Sequence, residues 1–106
     1  MSISTHVLDA AAGRPAAGVP VVLERRAADG WTPLASATTN SDGRVADLEA
    51  AGEPGVHRLR FDVERYTGPG AFFPEVVVVF RVDDPGARHH VPLLLSPFAY
   101  STYRGS

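Results

Sequence analysis

The feature that most constrains the fold is a series of short, strand-like segments that recur about every ten residues. Each is rich in β-branched or other apolar residues and is bounded by Gly, Pro, Asn or Asp, as in "AAGRPAAG", "TNSDGR" and "DDPGA". Several short strands separated by turns at this spacing are typical of a sandwich of two antiparallel β-sheets. We predict strands over Ile3–Asp9, Val19–Arg25, Trp31–Thr38, Val56–Val63, Val76–Val82, His89–Leu95 and Phe98–Tyr103.

The pattern leaves room for at most one short helix. Apolar residues recur with helical spacing only over a turn or two, and "VERYT", residues 63–67, is the segment that could form that helix. The chain has 106 residues, which suits one domain over residues 1–106 with a single modest core. We find no internal repeat, linker or low-complexity segment. The fold class is therefore predicted to be all-β.

The charge distribution argues against several classes of partner. The formal net charge is −2, and acidic and basic residues are interspersed along the chain, so we expect no binding to nucleic acid or to anionic lipid. No apolar run approaches the roughly 18 residues of a membrane span. The start "MSISTHVLDA" lacks the basic and apolar regions of a secretory signal, and we therefore expect a cytoplasmic protein.

Two residue types are missing, and their absence limits the available chemistry. Without cysteine the chain has no disulfide, no thiolate nucleophile and no Cys-ligated metal. All ten basic residues are arginine, so a Schiff base to lysine is excluded as well. The remaining reactive groups are those of His, Arg, Asp, Glu, Tyr and Ser.

Two predicted strands break the usual alternation of apolar and polar residues. "VVVVFRV" is apolar at both parities and "HVPLLL" nearly so, which indicates that both faces of these strands are covered. One face of a sandwich meets the other sheet, and the second needs a different cover. A partner subunit is the simplest candidate, and a loop folded over the sheet is the alternative.

Strand parity separates the two neighbouring histidines near the end of the chain. His89 and His90 point to opposite faces, so they cannot both enter one site. His90 shares a face with Pro92 and Leu94, whereas the Val and Leu residues between them share the other. If that Val/Leu face lies in the core, His90 points toward the second, covered surface.

Taken singly, none of the candidate residues identifies a site. A lone histidine such as His6 is most often an exposed or hydrogen-bonded imidazole. Arg44 and Arg104, each taken alone, are interpreted as solvated charges. No pair of histidines has the i,i+2 strand spacing or i,i+4 helix spacing that would aim two rings at one metal ion, and we therefore predict no metal site. Nucleophile elbows, phosphate-binding loops and zinc-protease motifs are absent from the sequence.

Four blocks in order along the chain resemble the 5-hydroxyisourate hydrolases, the transthyretin-like enzymes of urate degradation. These blocks are "STHVLDAAAGRPAAGVPVVLE", "TNSDGRV", "FFPEV" and "HHVPLLLSPFAYSTYRGS". The terminal Tyr-Arg-Gly-Ser is the most specific, because it separates the hydrolases from transthyretin, their hormone-carrying relative. The sequence departs from the family in having His89 where Tyr is common and in a short connection before "FFPEV".

The resemblance implies a transthyretin-like (prealbumin-like) sandwich that forms a homotetramer, a dimer of dimers, with active sites in a channel between the dimers. It implies hydrolysis of 5-hydroxyisourate to 2-oxo-4-hydroxy-4-carboxy-5-ureidoimidazoline, without a cofactor. A histidine would activate water and an arginine would stabilise the oxyanion. The catalytic residues carried over from the family are His6, Arg44 and His90, and the substrate-binding residues are Tyr103, Arg104, Gly105 and Ser106.

Two other function classes stay open at this point. A transthyretin-like carrier would bind an apolar ligand without turnover, in a channel that lacks the His/Arg cluster. A structural or adhesive β-sandwich module would share the "DGR" turn and would run as a monomer on a sizing column. Which of the two histidines takes the proton is also open.

Overall fold

A computed structural model describes residues 2–48 and 53–106 of the protein, which form two β-sheets and one short helix. The predicted two-sheet sandwich with one short helix is confirmed. In chain order the elements are β1 (Ser2–Asp9), β2 (Arg14–Pro15), β3 (Pro20–Ala27), β4 (Gly30–Thr38), β5 (Arg44–Val45), β6 (Gly55–Asp62), α1 (Val63–Thr67), β7 (Glu75–Val82), β8 (Arg88–His90), β9 (Leu93–Ser96) and β10 (Ala99–Thr102).

Strand β1 organises the first sheet. The strand order is β10-β9-β1-β2, and β5 and β8 also pair with β1. β1 runs antiparallel to β2 and β5 but parallel to β8 and β9. The parallel pairing was not part of the sequence prediction. It is possible because the whole second sheet lies between β1 and β8 in the chain and provides the long connection that parallel strands require.

The second sheet has the order β4-β3-β6-β7 and is antiparallel throughout. Its outer face carries a charged network around the carboxylate of Glu24, which lies 2.6 Å from Arg58 Nε and 3.6 Å from Arg60 Nη1. The Arg58 guanidinium also lies over the Trp31 ring, 4.3 Å from its centroid. This part of the sheet therefore has a polar outer face, as expected for an antiparallel sheet with one face in water.

A single cluster of apolar side chains lies between the two sheets. In β1 the buried side chains alternate with half-buried ones, which is the pattern of a strand with one face on the core. Each Val, Leu, Ile or Phe side chain that is fully buried adds about 1.5 to 3 kcal/mol of burial free energy. The cluster comprises Ile3, Val7, Ala16, Val19, Val21, Leu23, Val45, Leu48, Leu59, Phe61, Val63, Val76, Val82, Val91, Leu93 and Leu95.

The predicted strand over His89–Leu95 is interrupted in the structure. β8 ends at His90 and β9 begins at Leu93, and between them Pro92 has no N–H with which to continue a ladder. The register to β1 is unchanged across the break, with Ser4 opposite His90 and Val7 opposite Leu93. The predicted parity of the segment is therefore preserved.

The predicted helix "VERYT" is confirmed as α1, and it is five residues long. Asp62 caps its start by accepting a hydrogen bond from the Arg65 N–H. Tyr66 reaches back to β1 and donates a 2.8 Å hydrogen bond to Asp9 Oδ2. Within residues 2–48 and 53–106, no helix is both long enough and apolar enough to cross a membrane.

The second apolar face of β7 is uncovered in the single chain. Val77 and Val79 are 38% and 56% exposed, while Val76 and Val82 are buried in the core. β7 is also an edge strand, with β6 as its pairing partner. No loop among the described residues covers this face. That a partner subunit covers it stays a prediction.

His57 is the most unusual member of the interior. It lies on β6, is 1% exposed, and its Nδ1 is 3.0 Å from the Gly55 carbonyl oxygen. Its Nε2 is buried without a hydrogen-bond partner among the described residues, and its ring stacks on Phe80. Burial lowers the pKa of His57, and the nearby positive charges of Arg25 and His89 lower it further against the opposing effect of the Gly55 carbonyl.

We expect this histidine to make the protein less stable in mild acid. The unfolded chain takes up the proton near the ordinary pKa of 6.5, but the folded protein takes it up only at lower pH. The contribution of the neutral His57 to the free energy of unfolding is therefore complete above pH 6.5. It is lost as the pH falls, by up to about 1.4 kcal/mol per pH unit for one proton. Urea unfolding between pH 8 and 5 measures this slope. The His57→Phe variant should have a shallower slope, and equal slopes would contradict the assignment.

Candidate active site

The outer face of the first sheet gathers polar side chains from three strands. In β1 the side chains of Thr5 and Val7 point into the core, so Ser4 and His6 point outward. The antiparallel strand β5 places Arg44 directly opposite His6, a pairing in which the two Cβ atoms are typically about 5 Å apart. The parallel strand β8 places His90 opposite Ser4. Three separate segments thus bring two imidazoles and one guanidinium to one patch of the sheet.

A tight turn before β5 fixes the position of Arg44. The side-chain oxygen of Asn40 accepts hydrogen bonds from the backbone N–H groups of Asp42 and Arg44, at 2.9 and 3.0 Å. Gly43 adopts a φ of 72°, a conformation that favours glycine, and its carbonyl oxygen accepts a 2.7 Å bond from Val7 N–H. Hydrogen bonds within the turn and to β1 therefore fix the backbone from which the Arg44 side chain extends.

The C-terminal segment passes directly over His90. Gly105 N–H donates a 2.8 Å hydrogen bond to the His90 carbonyl oxygen, and the two residues form a β-bridge. A Cβ at position 105 would lie only 2.5 Å from His90 Cδ2, so only glycine fits there without displacing the ring. Further back, Thr102 Oγ1 donates to the Pro92 carbonyl oxygen at 2.7 Å. These contacts hold the end of the chain against the site.

Two neighbouring cavities share His90. One, of about 380 Å³, is lined by Ser4, Arg44, His90 and Ser106 together with Asp47 and Arg88. The other, of about 290 Å³, has His90, Tyr103 and Arg104 in its wall, and the mostly buried His89 also borders it. Ser106 therefore shares a cavity with Arg44, whereas Tyr103 and Arg104 line the other cavity. No group of three His, Asp or Glu side chains in the described ranges is arranged to hold a metal ion.

The electrostatic environment keeps His90 neutral. Burial lowers the pKa of His90, and the positive charges of Arg44 and His6 lower it further. A neutral imidazole at physiological pH has a free lone pair, so it can accept a proton from water. The same surroundings would favour a negatively charged group beside Arg44.

The structure places every residue that the sequence nominated. Arg44, His90 and Ser106 line one cavity, and Gly105 contributes backbone. His6 lies opposite Arg44 on the neighbouring strand but lines neither cavity. His89 takes the opposite face, as parity predicted: it is 5% exposed and its Nδ1 lies 3.2 Å from the Ala87 carbonyl oxygen.

Sequence reasoning missed Ser4. Its hydroxyl oxygen lies 2.8 Å from His90 Nδ1. The available signal was its position two residues before His6, which puts both side chains on one face of a strand.

The chain is similar over nearly its whole length to several known proteins. A 5-hydroxyisourate hydrolase from Salmonella dublin is 45% identical over 98% of this chain and 80% of its own length. The solved 5-hydroxyisourate hydrolase of Klebsiella pneumoniae superposes with a TM-score of 0.86 at 34% identity, covering 100% of both chains. Sea bream transthyretin in complex with thyroxine superposes with a TM-score of 0.88 at 32% identity, covering 99% of this chain and 95% of that one.

These similarities establish the transthyretin-like fold that the sequence predicted. A family model described as HIUase/Transthyretin family matches residues 3–105, which is nearly the whole chain. With the fold, the sequence identity and the family match in agreement, the chain belongs to the HIUase/Transthyretin family.

Proposed function

We propose that the protein hydrolyses 5-hydroxyisourate in urate degradation. The observation that carries this proposal is the meeting of His6, Arg44 and His90 on the outer face of one sheet, beside a cavity that Ser106 also lines. Relatives about 45% identical carry the name of this activity. A carrier of an apolar ligand has no need of two imidazoles and a guanidinium in one patch.

In the proposed reaction a water molecule attacks the lactam carbonyl of the six-membered ring. The neutral His90 imidazole, or that of His6, takes a proton as the water oxygen bonds to the carbonyl carbon. The ring C–N bond then breaks, and the departing nitrogen receives the proton from the imidazolium. The product carries a ureido group and a carboxylic acid, which releases the second proton of the water to solvent and becomes a carboxylate, so atoms and electrons balance without an oxidant, a metal or a cofactor.

Arg44 is proposed to bind the substrate and to stabilise the oxyanion. Its guanidinium presents a planar fork of donors and stays charged at all relevant pH values, which suits a urea-like carbonyl that becomes negative. The tight turn around Gly43 supports this role, because a donor fixed in advance needs no reorganisation during the reaction.

The end of the chain is proposed to complete the substrate pocket. Ser106 borders the same cavity as Arg44 and could orient water or substrate. Tyr103 and Arg104 border the adjoining cavity, so a second guanidinium would be available beside His90. Gly105 allows close approach of the backbone between them.

We further propose that the active protein is a homotetramer, a dimer of dimers. Both cavities are open in the single chain, and large apolar side chains are exposed at two places: Val77 and Val79 on β7, and Phe98 and Tyr100 around β10. Exposed apolar residues at sheet edges favour association with further copies. Light scattering would give the mass, and a monomer would contradict this part of the proposal.

Activity is tested by following the decay of freshly made 5-hydroxyisourate. The substrate is generated from urate with urate oxidase, and its absorbance is recorded with and without catalytic amounts of the protein. We expect faster decay with the wild type and with Arg65→Gln, a control on the exposed side of α1. A folded protein that leaves the spontaneous decay rate unchanged would refute the proposal, and saturable binding without turnover would favour the carrier.

A further inference from the structure

Ser4 makes a contact with His90 that the proposed reaction does not yet use. Its hydroxyl oxygen lies 2.8 Å from His90 Nδ1, across the parallel pair of β1 and β8. Both residues are half-buried, so the bond is only partly open to competition from water. Ser4 thus touches one of the two nitrogens on which the chemistry of an imidazole depends.

The backbone around this pair leaves little freedom for the serine. The Ser4 carbonyl oxygen accepts a 2.9 Å bond from Val91 N–H, and Thr5 Oγ1 donates a 2.6 Å bond to the Val91 carbonyl oxygen. These two bonds fix β1 against the residue that follows His90. The distance from Ser4 to the ring is therefore set by the sheet rather than by a mobile loop.

The His90 ring is held at a second edge. Gly105 approaches Cδ2 so closely that a methyl group there would be 2.5 Å away. With Nδ1 against Ser4 and Cδ2 against Gly105, the ring can neither flip nor swing without breaking one contact. Nε2 is then the nitrogen to which residues 2–48 and 53–106 form no hydrogen bond, and it is the one left for water or substrate.

We infer that Ser4 is a positioning residue that holds the proton of neutral His90 on Nδ1, by accepting the Nδ1–H hydrogen bond, and so leaves Nε2 as the base. This inference rests on the proposed hydrolysis. When Nε2 takes the proton from water, both ring nitrogens become donors, and Nδ1 then requires an acceptor. A serine hydroxyl that already accepts the bond meets this requirement without rotating. The partner that fixes one nitrogen thereby selects the function of the other.

The inference also divides the roles of the two histidines. Ser4 and His6 leave β1 on the same face, two residues apart, so one strand orients His90 and carries His6. Of the two, His90 is the one with a described partner on Nδ1 and a neighbour across its ring. We therefore assign the base to His90 and the orientation of water or substrate to His6.

The tautomer is tested directly by long-range ¹H–¹⁵N correlation spectra of the free protein, in which a protonated ring nitrogen is distinguished from an unprotonated one. The His90→Gln variant identifies the His90 signals. We expect Nδ1 to carry the proton in the wild type and the preference to weaken in Ser4→Ala. An Nε2–H tautomer in the wild type would overturn the inference. Because no substrate is needed, this result is independent of whether 5-hydroxyisourate is hydrolysed.

Kinetics provide the second readout. Ser4→Ala should lower kcat on the order of 10-fold, the effect of one lost hydrogen bond to a charged group, with little change in KM. Because an acceptor on Nδ1 favours the protonated ring, its loss should move the acidic limb of the kcat/KM profile to lower pH. A shift to higher pH would mean that Ser4 donates instead, and an unshifted limb would leave it a merely structural role; either result contradicts the inference.

Two further variants complete the design. Ser4→Thr keeps a hydroxyl at the same position on a strand and should restore the acidic limb and most of kcat. Ser36→Ala removes an exposed hydroxyl from β4 in the other sheet and should match the wild type in every readout. If Ser4→Thr behaved like Ser4→Ala, the hydroxyl would not be the relevant group and the inference would fail.

Discussion

Replacement of His90 by glutamine is expected to lower kcat/KM for 5-hydroxyisourate by about 10²- to 10⁴-fold, the usual contribution of a positioned base. Glutamine retains hydrogen-bonding groups near the Ser4 hydroxyl but cannot take up a proton at neutral pH. The surrounding sheet should survive, because His90 lies on the outer face rather than in the core. The spontaneous decay rate of the substrate is the floor against which the residual activity is measured.

The neighbouring histidine supplies a matched control for this variant. His89→Gln changes the same residue type one position away, but on the buried face of β8. We expect it to lower the thermal midpoint, by disturbing an interior site, while the folded protein loses far less kcat than His90→Gln, because the His90 imidazole is retained. Suppose that His89→Gln and His90→Gln were equally stable and lost the same activity. The face of β8 on which each histidine lies would then not matter for catalysis, and the role given to His90 would be wrong.

The second large effect is expected from Gly43→Ala. A Cβ at position 43 would overlap the backbone oxygen of Val7, and it would also lie 3.1 Å from Pro15 Cβ and from the Ala16 nitrogen. These neighbours are largely backbone and cannot turn aside. Strain at a φ of 72° costs about 1 to 2 kcal/mol and overpacking about 1 to 3 kcal/mol more. Urea unfolding should therefore show that the free energy of unfolding falls by about 3 kcal/mol.

Another glycine separates these two contributions. Gly13 has a φ of 70°, almost the same as Gly43, but a Cβ there would meet no atom within 4 Å. Gly13→Ala should therefore cost only the conformational part, about 1 to 2 kcal/mol. Activity should follow the same order, because Gly43 immediately precedes Arg44 and holds its turn against β1. Equal losses of stability in the two variants would show that the contact with Val7 is not restrictive.

Much of the fold could be predicted because the strands carry their burial pattern in the sequence. The outward direction of His90 followed from parity alone, and the structure has the adjacent Val91 in the core. The break in the predicted strand over His89–Leu95 was accessible too, since Pro92 cannot donate to a neighbouring strand. The parallel pairing of β1 with β8 was not accessible, because alternation along a strand does not reveal the direction of its neighbour.

The arrangement of the site depended on contacts that no local pattern contains. β5 is only two residues long, Arg44 and Val45, so its register against His6 is set by the Asn40 turn and by hydrogen bonds to β1. The closeness of Gly105 to the His90 ring is a property of the folded chain end. Residue types for hydrolysis could be nominated from the family resemblance, but the partner of each nitrogen required coordinates.

The neighbours of β1 also determine when the candidate active site can form during synthesis. Ser4 and His90 are 86 positions apart, and closing so long a loop costs entropy before any contact compensates for it. During synthesis β1 emerges first, and it must wait for β8 and β9 while most of the molecule is made. A nascent chain that stalls before β8 would leave β1 with unpaired backbone groups, a template for joining two unfinished copies. Slow synthesis of the segment that holds β8 and β9 would therefore lengthen the time for which β1 stays unpaired on that side.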